Sequence, residues 1–298
     1  VITSGAGTTA WTATNGDTTF DAVVNPVVPG SVADKAQTAA VTDLNADSVD
    51  VNETVTYTKV GSLVPSSSDG NFPGARPVVY PNDPSDATKV KPAGVPMVPG
   101  YTAHDPEGHV LTPGSSYQPS DPTKDTTITY TADKQEGSVS YVDDTTGKTL
   151  KTDSISGTTG SKSSYSTRGS IADYKKHGYE LVTDGYPADL TFDNDDTTDQ
   201  NFTVHLKHQL TPVNPTDPQT PGAPINPDEP DGPKWPTSTN YDKTVNETIS
   251  YVDQNGHVVA KQHTDSVNFT RTVVVDNVTG EVITSGAGTT AWTATNGD

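Results

Sequence analysis

SVSYVDDTTG, at residues 138–147, reads as one strand of a β-hairpin and its turn. Val139 and Tyr141 take one face of a pleated strand, and the acidic, glycine-ended run that follows is turn chemistry. The pattern returns at residues 248–256, TISYVDQNG, with Ile249 and Tyr251 on the matching face. Polar-flanked strands close three segments, at 51–59 (VNETVTYTK), 126–132 (TTITYTA) and 201–207 (NFTVHLK). One helix interrupts this β pattern. Ser170 is placed to cap IADYKKH, Ile171 and Tyr174 share a face, and Gly178 sits just past the end. Two strands, a short helix and further strands near Tyr179 and Phe202 follow a β-grasp order. Residues 136–208 are therefore predicted as a small β-grasp (ubiquitin-like) domain.

Residues 282–298, VITSGAGTTAWTATNGD, repeat residues 1–17 without a change. An identity of that length, tryptophan included, marks a tandem array. The expectation is one repeat unit plus the start of the next, cut from a longer protein, with residues 244–298 continuing naturally into 18–59. One module is then split, its C-terminal part at 1–60 and the N-terminal part of its next copy at 244–298. PVVPG at 26–30 matches PMVPG at 96–100, so residues 78–134 read as a related β-module.

Two segments read as connectors. GSLVPSSSDGNFPGARP, at 61–77, is predicted to be a flexible linker. Within 209–243, nine prolines from Pro212 to Pro236 fall at every third residue. That is the period of a polyproline II helix, and at about 3.1 Å per residue the run predicts a semi-rigid spacer of roughly 75 Å. A ligand for aromatic-groove domains is the alternative reading. The fold class expected is mainly β with one short helix, in tandem β-grasp modules joined by Pro-rich linkers as beads on a string.

Composition agrees with small modules. Hydrophobic residues are 30% of the 298, with 24 Pro and 25 Gly, too few apolar groups for one large core. The net charge of −20 excludes the clustered Lys/Arg that nucleic acid requires. Cysteine is absent, so disulfides and thiolate metal sites are excluded. No apolar run approaches the roughly 20 residues of a membrane-spanning helix, so no membrane insertion is expected.

Residues 137–208, with SVSYVDDTTGK, GYELVTDGYP and FTVHLKH, resemble the mucin-binding (MucBP-type) domain of bacterial surface proteins. The split module resembles its companion, the B2-type domain of mucus-binding repeats, through TISYVDQNGHVV, FTRTVVVDNVTGEV, the tryptophan of TAWTA, the PVVPG turn and VNETVTYTK. The resemblance implies a cell-wall-anchored, extracellular adhesin of lactobacilli and similar Gram-positive bacteria. Its implied partners are mucin glycans, with immunoglobulin for some repeats. A structural stalk displaying a distal domain is the competing reading.

Candidate chemistry is sparse. Asp193, Asp195, Asp196 and Asp199 offer hard oxygen ligands to calcium, or form an acidic turn, since the run lacks the Gly and distal Glu of a calcium loop. No other cofactor is implied. Trp11 and its repeat Trp292 either stack on a sugar or fill a small core. Tyr186, beside Pro187, is the tyrosine expected to be exposed to a glycan. His205 and His208 fall on opposite strand faces, against a shared metal. No hydrolase, zinc-protease or phosphate-loop motif is present, so an enzyme is not expected.

Overall fold

The computed structural model describes residues 1–295, so the last three residues of the second repeat copy lie outside it. The chain divides into two compact units. The first comprises Val1–Gln135, Thr158–Ser161 and Phe192–Thr198; the second comprises Glu136–Gly157, Lys162–Thr191 and Asp199–Asp298.

In the first unit, β1 (Ser31–Ala33) pairs antiparallel with β2 (Tyr57–Lys59). A turn feeds β1: the Ser31 N–H donates to the Val28 carbonyl at 3.1 Å, and Gly30 between them has φ +82°. The same turn recurs where Tyr101 N–H donates to Val98 O at 3.1 Å over Gly100, φ +79°. Proline followed by a residue with positive φ is what a type II turn requires, which explains the shared Pro-Gly.

Seven more strands complete this unit: β3 (Ser62–Ser66), β4 (Val78–Val79), β5 (Ala93–Gly94), β6 (Tyr101–His104), β7 (Val110–Leu111), β8 (Ser116–Tyr117) and β9 (Thr126–Ala132). Five form one sheet in the order β4-β3-β9-β6-β7, with β3 parallel to β9, while β5 and β8 make a separate ribbon. The flexible linker expected at 61–77 is overturned. β3 is the strand at which that sheet turns parallel, and Leu63 on it is fully buried beside Ile128 and Tyr130. Phe72, also within the expected linker, stacks on Tyr130 at 5.1 Å and meets Tyr101 edge-on at 5.2 Å. Gly, Ser and Pro dominate the segment's composition, but its two large apolar side chains find a core. The module therefore begins at Ser62 rather than at 78.

The second unit carries β10 (Lys134–Asp143, its first two residues in the first unit), β11 (Lys148–Thr158), α1 (Arg168–Lys176), β12 (Tyr179–Asp184) and β13 (Gln200–His208). Their sheet order is β11-β10-β13-β12, with β10 parallel to β13 and Tyr141 opposite Val204. First strand beside last, flanked by the second and the penultimate, is the β-grasp arrangement. The sheet of residues 62–132 likewise sets its first strand beside its last with the second outside the first, then adds β6 and β7 beyond the last, with no helix assigned between β4 and β6. Val139, Tyr141, Val204 and Leu206 are fully buried, as the alternation of 138–142 requires.

The helix starts earlier than expected. Thr167 is the N-cap, and its hydroxyl donates to Asp184 Oδ2 at 2.6 Å instead of capping the helix. Ser170 lies inside the helix, where its Oγ accepts from Lys151 Nζ at 2.6 Å. The expected buried face holds at Ile171, and Gly178 has φ +93° after the C-cap.

Six strands follow: β14 (Leu210–Val213), β15 (Asp242–Val252), β16 (Val258–Thr270), β17 (Val273–Asp276), β18 (Val282–Ile283) and β19 (Thr293–Ala294). They form two three-stranded sheets, β14-β17-β18 and β15-β16-β19. The polyproline rod expected over 209–243 is overturned. Leu210–Val213 is an edge strand on β17, where Pro212 is tolerated because an edge position can go without an N–H. The chain then doubles back, with Ile225 N–H bonded to Pro233 O at 2.8 Å and Trp235 N–H to Ala223 O at 2.9 Å. Val213 joins Tyr241, Val273 and Val275 in a small core, with Ile225 and Trp235 packed against it. The proline period did not decide the backbone; the apolar residues between the prolines had a sheet to cover. Ile249 and Tyr251 on β15 are 39% and 43% exposed, unlike their fully buried counterparts Val139 and Tyr141.

Candidate functional site

The repeat supplies its own comparison at tryptophan. Trp11 is 88% exposed and lines an open cleft with Asp17, Leu44 and Asn45. Trp292 is half-buried, with the Arg271 guanidinium 4.4 Å above its ring and Lys243 Nζ at 5.4 Å. Two cationic groups thus already sit over the Trp292 ring. Tyr186 differs from the expected exposed tyrosine. It is half-buried, edge-on to Tyr165 at 5.3 Å and Phe202 at 5.5 Å, with its hydroxyl donating to Ser163 Oγ at 2.6 Å.

The four aspartates of the acidic run are exposed and serve different ends. Asp195 accepts from the Thr197 N–H (2.9 Å) and hydroxyl (2.7 Å), and these bonds hold its carboxyl below the usual range. Asp196 accepts from Gln135 Nε2 at 2.7 Å. Among the described residues, the three acidic or imidazole groups gathered closely enough to share an ion are Asp105, Glu107 and His109. Their closeness has a local cause. Asp105 Oδ1 accepts from the N–H groups of Glu107 (3.0 Å) and His109 (2.8 Å), and Asp253 does the same for Asn255 and His257. Both are Asp-x-x-Gly-His turns tied by their aspartate.

Sequence reasoning missed the most tightly built polar group. His208, at the end of β13, places Nε2 2.7 Å from Asp143 Oδ2 and Nδ1 2.7 Å from Asp276 Oδ2. The three side chains are 5%, 3% and 10% exposed. Asp143 also accepts from the Thr145 N–H (2.9 Å) and the Thr146 hydroxyl (3.0 Å). With a carboxylate on each ring nitrogen, the imidazole is doubly protonated and donates twice. Burial alone would lower the His208 pKa, but the bonds to Asp276 and Asp143 outweigh it and raise the value. Burial would likewise raise Asp143; its bonds from His208, Thr146 and Thr145 hold it below its usual value. Asp276 lies 68 residues beyond His208, a separation no local pattern bridges.

Beside this triad, α1, the doubled-back Pro-rich segment and the turn after β17 line an open cavity of about 340 Å³. Gly178 has a positive φ and approaches Asn277 so closely that an added Cβ would sit 2.4 Å from its carbonyl. Gln209 ties the walls together, its N–H bonded to Gly178 O and its carbonyl accepting from Asn277 N–H, both at 2.9 Å. His177 crosses the cavity, with Nε2 2.6 Å from Glu229 Oε1 and Nδ1 2.7 Å from the Asp173 carbonyl. The bond to Asp173 raises the His177 pKa against burial, and the Glu229 carboxylate adds to the rise. Tyr174 and Tyr179 meet edge-on at 5.5 Å, and Tyr179 lies edge-on to His208 at 5.3 Å. No helix among the described residues is long and apolar enough to cross a membrane.

Two family models match the chain. Residues 135–208 match a mucin binding domain, and residues 1–61 and 236–298 match a Muc B2-like domain. Among solved structures, the chain is 36% identical to the type 2 repeat of the mucus binding protein MUB from Lactobacillus reuteri. That match covers 53% of this chain and 74% of that one, with a TM-score of 0.36. It is 35% identical to a crystal structure described as Mub-RV, covering 55% and 74%, with a TM-score of 0.39. No curated protein matches.

Proposed function

Because this chain belongs to the mucus-binding repeat family, we propose that it is a non-catalytic adhesin segment that holds mucin glycoproteins by their glycans outside the cell. The observation that carries the reading is the match of residues 135–208, the β-grasp domain, to a mucin binding domain. The repeated residues 1–17 and 282–298 support multivalency, since several weak sites held near one ligand raise avidity without new contacts. The acidic surface suits a protein that must stay soluble beside other polyanions.

Of the side chains expected to touch glycan, Trp11 has a free ring beside a cleft. Trp292 is engaged by Arg271 and Lys243, and Tyr186 by Tyr165, Phe202 and Ser163. The test is retention of the intact chain on immobilised mucin before and after enzymatic removal of its glycans. Loss of retention on deglycosylation supports the reading. Equal retention would mean recognition of protein, and no retention on either surface would favour a stalk.

A further inference from the structure

We propose that the cavity beside α1 binds a single neutral pyranose ring, an assignment that rests on the glycan reading above. Its chemistry has two sides. Tyr174, Tyr179, Ile225 and Pro233 give an apolar, partly aromatic wall, which suits the C–H face of a sugar. Opposite chemistry comes from two amides and two acids. Asn226 uses its Oδ1 to accept from the Asp228 N–H (3.1 Å), and Asn277 uses its Oδ1 to accept from the Thr211 hydroxyl (2.8 Å). The Nδ2 donor of each is left for a ligand. Glu229 and Asp173 add acceptor oxygens on the same lining. Sugar hydroxyls donate and accept at once, so amide donors set beside carboxylate acceptors match them.

Charge selects among sugars. Two carboxylates on the lining, in a chain of net charge −20, oppose a sialic acid or a sulfated ring. The one cationic group on the lining, His177, already spends Nε2 on Glu229. Size selects too, because about 340 Å³ is at the small end of ligand pockets and suits one ring. The site is also held rigidly. Tyr179 rests against His208, Asn277 follows Asp276 in the chain, and both His208 and Asp276 belong to the buried triad. Preorganisation of that kind lowers the ordering cost of binding a weak ligand.

The test is NMR titration of the isotope-labelled intact chain with methyl galactoside, N-acetylglucosamine and N-acetylneuraminic acid. Saturable shifts at Tyr174, His177, Tyr179 and Asn277 are expected with a neutral sugar and not with the anionic one. Asn226→Ala removes its Nδ2 donor together with the bond its Oδ1 accepts from the Asp228 N–H, and is expected to weaken binding about fivefold, its amide spectrum reporting that the fold is kept. Glu229→Gln, which keeps shape and removes charge, is expected to admit the anionic sugar. The proposal is overturned by no saturable shift at the cavity, by shifts centred elsewhere, or by equal response to the anionic sugar. Mucin retention judges the adhesin reading separately. A silent cavity with glycan-dependent retention removes this site and leaves that reading standing; sugar binding here without mucin retention does the reverse.

Discussion

Replacing His208 with alanine leaves two carboxylates, Asp143 and Asp276, buried at 3% and 10% exposure with their shared cation gone. Two bonds of 2.7 Å are lost with it. Each charge-assisted bond contributes about 1.5–3 kcal/mol, and removing one member of a buried ionic group costs about 3–5 kcal/mol. We expect a loss of about 3–5 kcal/mol, a large part of the roughly 5–15 kcal/mol that holds a domain folded. Asp276→Asn, which keeps shape and one neutral contact, is expected to cost less. pH supplies the specific signature. His208 has a raised folded-state pKa, so its contribution is fully present below its unfolded value of about 6.5 and is lost as pH rises through the folded value. Asp143 has a lowered pKa, so its contribution is present above 3.8 and is lost as pH falls through the folded value. Stability of the second unit therefore peaks between these limits. Urea unfolding at pH 5.5, 7 and 8.5 should show parent stability declining with pH and a flatter dependence in His208→Ala. A loss under about 1 kcal/mol, or an unchanged pH slope in the variant, would refute the argument.

Further perturbations separate local causes. Gly30→Ala and Gly100→Ala place an L side chain at positive φ in the same turn, but only at Gly100 would the Cβ meet Thr159, at 2.7 Å. Thermal unfolding should show Gly100→Ala costing clearly more than the roughly 1 kcal/mol of Gly30→Ala; equal costs would mean that the close approach is relieved freely. Trp292→Ala removes a ring under Arg271 and is expected to destabilise by about 1–2 kcal/mol, whereas Trp11→Ala, at 88% exposure, should stay within about 0.5 kcal/mol. The reverse order in urea titrations would overturn the two environments described for the repeat. Millimolar calcium should leave the unfolding temperature unchanged, because Asp195 and Asp196 are already committed to Thr197 and Gln135; a rise of several degrees would show an ion site there.

Much of the fold was legible where side-chain period and burial coincide. Val139 and Tyr141 alternated in sequence and lie buried on β10, and PVVPG and PMVPG encode one turn at two places. Composition misled at the connectors. Leu63 and Phe72 were hidden among Ser, Gly and Pro, and Val213, Ile225 and Trp235 among prolines, yet each has an apolar surface to cover. Ser170 had the right chemistry for a cap and the wrong position, because the chain enters the helix at Thr167. The polar centre was illegible for a different reason. Asp143 resembled an ordinary turn residue, His208 the end of a strand, and Asp276 part of a distant motif. The β10–β13 pairing brings Asp143 to His208, and Asp276 reaches it from the end of β17.

The central claim is recognition of mucin through its sugars. Surface plasmon resonance of the intact chain over native and deglycosylated mucin tests it most directly. The account predicts saturable binding to the native surface that falls to background on the stripped one. Undiminished binding to stripped mucin would contradict it.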